Sequence, residues 1–300
     1  MAKKNIWTIP LNKIPDDMTV HQYILQFTDI KNKIEQFKAR PQPDYLELPF
    51  NFEFEDLVKS VKEGIDQFGL YSFSYNNGLK DILDNSYISS SLTWNPKAID
   101  KISDNPHMAT LGSSILDSGS ASVYEGKKNL KNTYNDSYSF KERTPLANHA
   151  NIKKLMNTFK RTIIRSRISM IVAGKEISTK GNFTWHNDEE IYINLRVNIP
   201  IQTSPNYFIQ ILNSTVDDNL KITEFELKKN FAYVYDSHKY HQAYCKKLDS
   251  LDRINLICGV SPWFDFDPDE QAWCSNEFYG EMHPFDMFAK GLITTTVSSA

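Results

Sequence analysis

Four residues in the second half of the 300-residue chain have types and spacing that could do chemistry. They are His186 and Asp188 in TWHNDEE, His241 in DSHKYHQAYC, and Arg253 in LDRINLI. In an extended segment, side chains i and i+2 project to the same side, so His186 and Asp188 offer an imidazole and a carboxylate to a common point. A third donor must come from a distant strand, and His241 lies 53 residues beyond Asp188. Two imidazoles and one carboxylate on one face of an octahedral ion leave three adjacent positions open, the arrangement that O2-activating non-haem Fe(II) requires. Arg253 follows His241 by twelve residues, at the start of another strand. Its planar fork of donors suits the far carboxylate of a keto-acid cosubstrate. The His-x-Asp/Glu spacing alone says little: seven histidines and 37 acidic residues in 300 positions give about 0.9 chance matches, and one occurs. The order of the pieces carries the weight. The motif precedes a cleanly alternating strand, a second histidine ends a later strand, and an arginine opens the next before the aromatic SPWFDFD. His238 competes with His241 for the third place, and the context HQAYC favours His241.

Strands must carry these residues. TIIRSRISMIVAG predicts one ending near Gly174. IYINLRVNIPI alternates, with Ile191, Ile193, Leu195, Val197, Ile199 and Ile201 on one face and Tyr192, Asn194, Arg196 and Asn198 on the other. NYFIQIL, ITEFEL, FAYVYD and RINLICGV add four more candidates. Strands of this length with turns between them and no βαβ alternation predict an antiparallel barrel or jelly roll. Nothing matches GxGxxG or a P-loop, which removes the main support for nucleotide binding. Arg196 lies in the middle of an alternating strand and would be costly there without a partner. It belongs to a structural ion pair or anchors a substrate carboxylate. Arg165 and Arg167 flank the same sheet and sit either at the pocket or, the favoured reading, on a solvated strand face. Trp185 reads as packing, and Glu189 should face away from Asp188.

Upstream, residues 1–50 read as an irregular arm punctuated by Pro10, Pro15, Pro41, Pro43 and Pro49, with one short helix around Val20–Phe37. A clearer helix spans Phe54–Phe68, where Leu57, Val61, Ile65 and Phe68 recur at helical spacing before Gly69. Residues 75–148 are polar yet aromatic and read as ordered loops and short strands covering a site. Another helix is expected at Asn151–Lys160. The division is thus 1–160, helices and loops that buttress the core and shape a substrate mouth, and 161–300, a mainly β core. That core closes in an aromatic C-terminal strap with His283 in a structural role. The formal net charge, 34 − 37 = −3, argues against a general nucleic-acid binder. Forty per cent hydrophobic residues exclude global disorder. No run approaches the roughly 18 apolar residues of a membrane span, and MAKKNIWTIPLNKIPDD does not read as a secretory signal. Cys245, Cys258 and Cys274 lack CxxC spacing and read as reduced thiols of a cytoplasmic protein. Oligomeric state is not legible.

Residues 161–266 resemble the aspartyl/asparaginyl β-hydroxylase family of Fe(II)/2-oxoglutarate dioxygenases, which also includes bacterial proline hydroxylases. The matching pieces are RISMIVAGKEI, WHND, LRVNIPI, YDSHKYHQAY and RINLICGVSPWFD. The resemblance does not extend to residues 1–150. It implies a mainly β fold with flanking helices around a double-stranded β-helix, the jelly-roll or cupin-like core. It further implies His186, Asp188 and His241 as iron ligands and Arg253 on the 2-oxoglutarate C5 carboxylate. Ser169 and Asn198 would also hold the cosubstrate, and Arg196 would meet a substrate carboxylate. The implied cofactors are Fe(II), 2-oxoglutarate and O2. The implied reaction is hydroxylation of an unactivated C–H in an amino acid, a peptidyl side chain or another carboxylate-bearing small molecule. A carboxylate at position 188 favours hydroxylation over halogenation. Two departures from the family pattern stand out: Ser237 to His241 is one residue longer than usual, and Cys245 stands where asparagine is common. Two other classes stay open: a catalytically silent jelly-roll binding or structural protein, and a Zn or Mn hydrolase or cupin on the same ligands, against which Arg253 argues.

Overall fold

In the computed structural model the described residues are 6–72, 87–96, 105–108, 136–173, 185–216, 219–245 and 250–297. Before residue 160 the elements are β1 (Thr8–Pro10), α1 (Val20–Phe27), α2 (Ile30–Lys38), β2 (Tyr45–Pro49), α3 (Phe54–Phe68), β3 (Tyr71–Ser72), β4 (Tyr87–Ser91), β5 (Thr93–Trp94), β6 (Glu142–Arg143) and α4 (Ala150–Met156). The strand-rich part runs β7 (Ile163–Ile171), β8 (Leu195–Gln202), β9 (Tyr207–Val216), β10 (Asn219–Glu226), β11 (Phe231–Tyr235), β12 (His241–Cys245) and β13 (Arg253–Val260). It closes with β14 (Phe264–Asp267), β15 (Ala272–Ser275) and α5 (Pro284–Ala289).

Local chemistry sets the helix limits. Thr19 caps α1 reciprocally with Gln22: the Gln22 N–H donates to the Thr19 hydroxyl (3.0 Å), and the Thr19 N–H donates to the Gln22 side chain (2.8 Å). The single helix expected over Val20–Phe37 is two, because the extended Thr28 ends α1 and its hydroxyl donates to the Ile24 carbonyl. Asp29 is then held by the Trp7 indole (3.1 Å) and the Tyr279 hydroxyl (2.7 Å). α3 has the expected limits and stops at Gly69, whose φ of +81° suits glycine. α4 ends at Met156, short of Lys160. The Thr158 hydroxyl donates to the Leu155 carbonyl, and Phe159 bridges Thr294 instead of continuing the helix.

The large sheet has the order β2-β11-β8-β13-β7-β4-β3 and the small one β10-β9-β12. His186 bridges His241 at the start of β12 and so adds a fourth rung to the small sheet. The chain crosses from β7 to the His186 segment, back to β8, across to β9 and β10, back to β11, across to β12, and back to β13. The result is two facing four-rung antiparallel layers, β11-β8-β13-β7 against β10-β9-β12 plus the His186 segment. The fold is mainly β with flanking helices around a double-stranded β-helix. Strands β2, β3 and β4 widen the large sheet on both sides.

Leu195, Val197, Ile199 and Ile201 join the main apolar core with Leu57 and Val61 of α3, on the outer side of the large sheet. Both faces of β8 are buried, because the second face lies between the sheets. The expected strand over 191–194 is a turn instead, in which the Glu190 carbonyl accepts the N–H of Ile193 and of Asn194. Between the sheets, Ile209, Ile211, Phe225, Tyr233 and Tyr235 form a second, smaller apolar cluster. The C-terminal strap is a small sheet, β1-β15-β14, followed by α5, which His283 caps. Of the segment 75–148, only 87–96, 105–108 and 136–148 are among the described residues, and Gly174 lies outside them. Among the described residues, no helix is long and apolar enough to cross a membrane.

Candidate metal centre

His186 and His241 stand opposite each other across a backbone bridge. The His186 N–H donates to the His241 carbonyl (3.0 Å), and the His241 N–H donates to the His186 carbonyl (2.8 Å). Two residues on, the Asp188 N–H donates to the Ser237 carbonyl (2.7 Å), so the motif is held extended. His241 therefore opens β12, where the sequence suggested that it ends a strand. The pairing brings the imidazoles to 4.4 Å between ring centres. Asp188 Oδ2 lies 3.5 Å from His241 Nε2 and 3.9 Å from His186 Nε2. One donor atom from each of the three residues falls within 4.8 Å of the others. His241 is buried and turned edge-on to Tyr235, whereas the His186 side chain is half exposed. His241 Nδ1 lies 3.0 Å from the Lys239 carbonyl. A carbonyl only accepts, so Nδ1 carries the proton and Nε2 is left free to ligate. His238 takes another course: its Nδ1 meets the Asp188 carbonyl at 3.2 Å, and its Nε2 faces Glu190 at 3.8 Å.

A charged network stands behind these three side chains. Arg196 is buried, and its Nη1 contacts Asp188 Oδ2. Of the two readings of Arg196, this contact supplies the fixed acidic partner of the first. Burial alone would raise the Asp188 carboxyl, but the Arg196 guanidinium and then the two imidazoles hold it well below the usual carboxylate range. Glu189, next to Asp188, has partners of its own. It accepts from the Ser137 hydroxyl and from Asn194 Nδ2 (2.9 Å), and it lies 3.8 Å from Arg165 Nη1. Burial would raise Glu189 as well, and Arg165, Ser137, Arg196 and Asn194 together bring it below its ordinary value. Arg165 corrects the expectation of a solvated strand face. It is buried, with φ +35°, opposite the register break between Ile257 and Gly259 of β13, and it turns inward to Glu189.

The remaining expected residues line the same interior. Arg253 opens β13, is buried, and stands in one cross-strand row with Ile171 and Tyr87. Two residues along, the row on the same face is Ser89, Ser169 and Asn255. The Ser169 hydroxyl donates to the Asn255 carbonyl (3.4 Å). Asn255 Nδ2 donates to Asn198 Oδ1 (2.9 Å), and Asn198 Nδ2 donates to the Arg196 carbonyl (3.1 Å). Ser89 Oγ and Asn255 Oδ1 are buried with no hydrogen-bond partner among the described residues. Such orphans suit a polar ligand between the sheets. Tyr235, which the sequence reading missed, sits where these groups meet. Burial and the Asp188 charge push its hydroxyl up to about 12, while Arg196 and Arg253 act the other way. The period-two pattern of FAYVYD was the signal available for it. Glu189 had none, since its partners are tertiary.

No protein-family model and no curated protein matches the sequence. Among solved structures, an oxidoreductase of the 2OG-Fe(II) oxygenase family from Burkholderia pseudomallei is similar over 79% of this chain and 92% of its own, at 8% identity and TM-score 0.39. The alpha-ketoglutarate-dependent epimerase SnoN from nogalamycin biosynthesis is similar over 78% and 83%, at 6% identity and TM-score 0.37. IDO from Bacillus thuringiensis is similar over 78% and 99%, at 12% identity and TM-score 0.32. At these scores the strand order and the side-chain geometry of this chain carry the description of its fold and site.

Proposed function

We propose that this chain is an Fe(II)- and 2-oxoglutarate-dependent dioxygenase that hydroxylates an unactivated C–H bond. Its substrate would be an amino acid, a peptidyl side chain or another small molecule bearing a carboxylate. The observation that carries the reading is the convergence of His186 Nε2, His241 Nε2 and Asp188 Oδ2 at one end of a polar interior that also holds Arg253. The donor set fits iron: two imidazole nitrogens and an ionised carboxylate, with one imidazole oriented by a backbone carbonyl. When bound, iron with 2-oxoglutarate and O2 supplies an oxidative decarboxylation, to succinate and CO2, strong enough to attack such a bond.

The chain's own residues have narrower tasks. His241 is held by Lys239, and Asp188 stays ionised against the cost of its burial. Arg253 would clamp the far carboxylate of the keto acid, and Ser169 and Asn198 would flank it. A substrate carboxylate would be drawn toward the interior guanidinium groups, Arg196 among them. Ile209, Ile211 and Phe225 keep one half of the interior apolar and short of water. The test is succinate release from 2-oxoglutarate by the iron-loaded protein, screened with amino acids and peptides, alongside Arg253→Ala. The variant should lose about 2–5 kcal/mol of 2-oxoglutarate binding while iron affinity holds. Unchanged cosubstrate binding would move the clamp to another residue. No succinate above background under any condition would sink the reading.

A further inference from the structure

Arg196 and the metal need the same atom. Asp188 Oδ2 is the oxygen that faces both imidazoles, and it is also the oxygen that Arg196 Nη1 contacts. A guanidinium cannot be discharged, so its hold on that oxygen must be loosened before a divalent cation takes a full share of it. Arg196 is only 6% exposed, so bulk water offers it little alternative. A second carboxylate is within reach of its charge. Glu189, next in sequence, acts electrostatically on Arg196 and is itself fixed by Ser137 and Asn194.

Resting on the metal-site reading above, we infer that Arg196 is a built-in competitor for the metal. It neutralises Asp188 in the metal-free protein and yields the oxygen to an incoming cation by turning toward Glu189. The charges make the exchange workable. Asp188 and Glu189 against Arg165 and Arg196 form a neutral set of four, so neither carboxylate is left bare before the cation arrives. Arg196 is then a positioning residue that lowers metal affinity in exchange for a metal-free site that stays ordered.

The experiment is a Co(II) titration of the metal-free full chain, read by visible absorption. It compares the parent, Arg196→Gln, Glu189→Gln, the double variant and His186→Ala, with thermal unfolding of each with and without Co(II). Arg196→Gln should bind Co(II) roughly tenfold tighter or more, as expected when a charge-assisted contact to the ligand oxygen is removed. Without metal it should melt below the parent, and it should gain more from Co(II). Glu189→Gln should bind Co(II) more weakly, because the displaced guanidinium has lost its second partner, and this effect should shrink in the Arg196→Gln background. Removing a positive charge beside the site would by itself favour a cation, so the exchange is read from the coupling: without it, the effects of Arg196→Gln and Glu189→Gln would simply add in the double variant. Equal or weaker Co(II) affinity in Arg196→Gln, with His186→Ala losing the metal, overturns the exchange and leaves the three ligands standing. Co(II) that binds His186→Ala as well as the parent, or binds no form at all, removes the metal site and the exchange together. Should Arg196→Gln not fold, the weaker Co(II) binding of Glu189→Gln in the parent background decides.

Discussion

The two histidines of DSHKYHQAYC lie three residues apart and have different surroundings. His241 is buried, keyed by Lys239 through Nδ1, and aims Nε2 at Asp188; His238 is half exposed and touches only the backbone of that residue. His241→Ala should therefore lower metal affinity by roughly a hundredfold or more, since loss even of an orienting partner costs ten- to a hundredfold. His238→Ala should leave it near the parent's value, and calorimetric titration of the two variants checks the pair. The three candidate donors could be picked out from residue type, order and strand context, and the fold brings them within 4.8 Å of one another. The network behind them could not be picked out. Arg196 announced only that it needed a carboxylate, and Asp188 as that carboxylate follows from how the two sheets bring β8 and the His186 segment together. Arg165 read as a surface residue because the irregularity that turns it inward is a property of the β7–β13 pairing, not of either sequence.

Among the elements, β13 is held on both sides, by β7 and by β8. At Gly259 an added Cβ would lie 2.3 Å from the Ile164 carbonyl oxygen, 2.6 Å from Asn194 Oδ1 and 3.0 Å from the Arg165 carbonyl oxygen. Backbone cannot retreat as a side-chain tip can, so Gly259→Ala should cost about 3 kcal/mol and lower Tm by roughly 6 °C or more. A second element-scale expectation concerns α5, whose cap is His283. Its Nδ1 accepts the Phe285 N–H at 3.1 Å, and burial lowers its pKa to about 4. An unfolded histidine takes a proton near pH 6.5, whereas the folded one resists until about pH 4. Stability from this residue is complete above pH 6.5 and is lost as pH falls through that window. His283→Asn keeps a capping acceptor without the titration. Urea unfolding at pH 7 and pH 4.5 should show the parent losing about 2–3 kcal/mol more than the variant. The elements were legible where apolar period and stop signal agreed, as for α3, and β8 was legible from Leu195 on. They were misread where hydrogen bonds overrode the period, at Thr28, at Thr158 and in the turn after Glu190.

At the scale of the molecule, one apolar core joins parts that the sequence kept distinct. Ile24 of α1, Ile34 of α2, Leu57 of α3 and Leu155 of α4 belong to the same buried cluster as Val197, Trp263 and Phe288. A chain beginning at residue 161 would bare the outer face of β8 and strip β2 and β4 from the large sheet. It should give no near-ultraviolet circular dichroism, and a native-like aromatic signal from it would show that the second half stands alone. How much the first half contributes was hidden from the sequence, because β2 and β4 earn their place only by pairing with strands more than 75 residues away.

The outer strands of the two sheets bear on how copies of the protein meet. The large sheet ends in β2, five residues closed by Pro49, and in β3, two residues long. The small sheet ends in β10, which carries Lys221, Glu224 and Glu226 and breaks register between Lys221 and Ile222. Short length, proline, charge and a bulge each spoil a strand edge as a template. Folded copies at high concentration thus gain little by zipping strand to strand, and growth of fibrils would have to begin from chains that have already opened. Among the described residues, these three edges thus offer another chain little backbone to pair with.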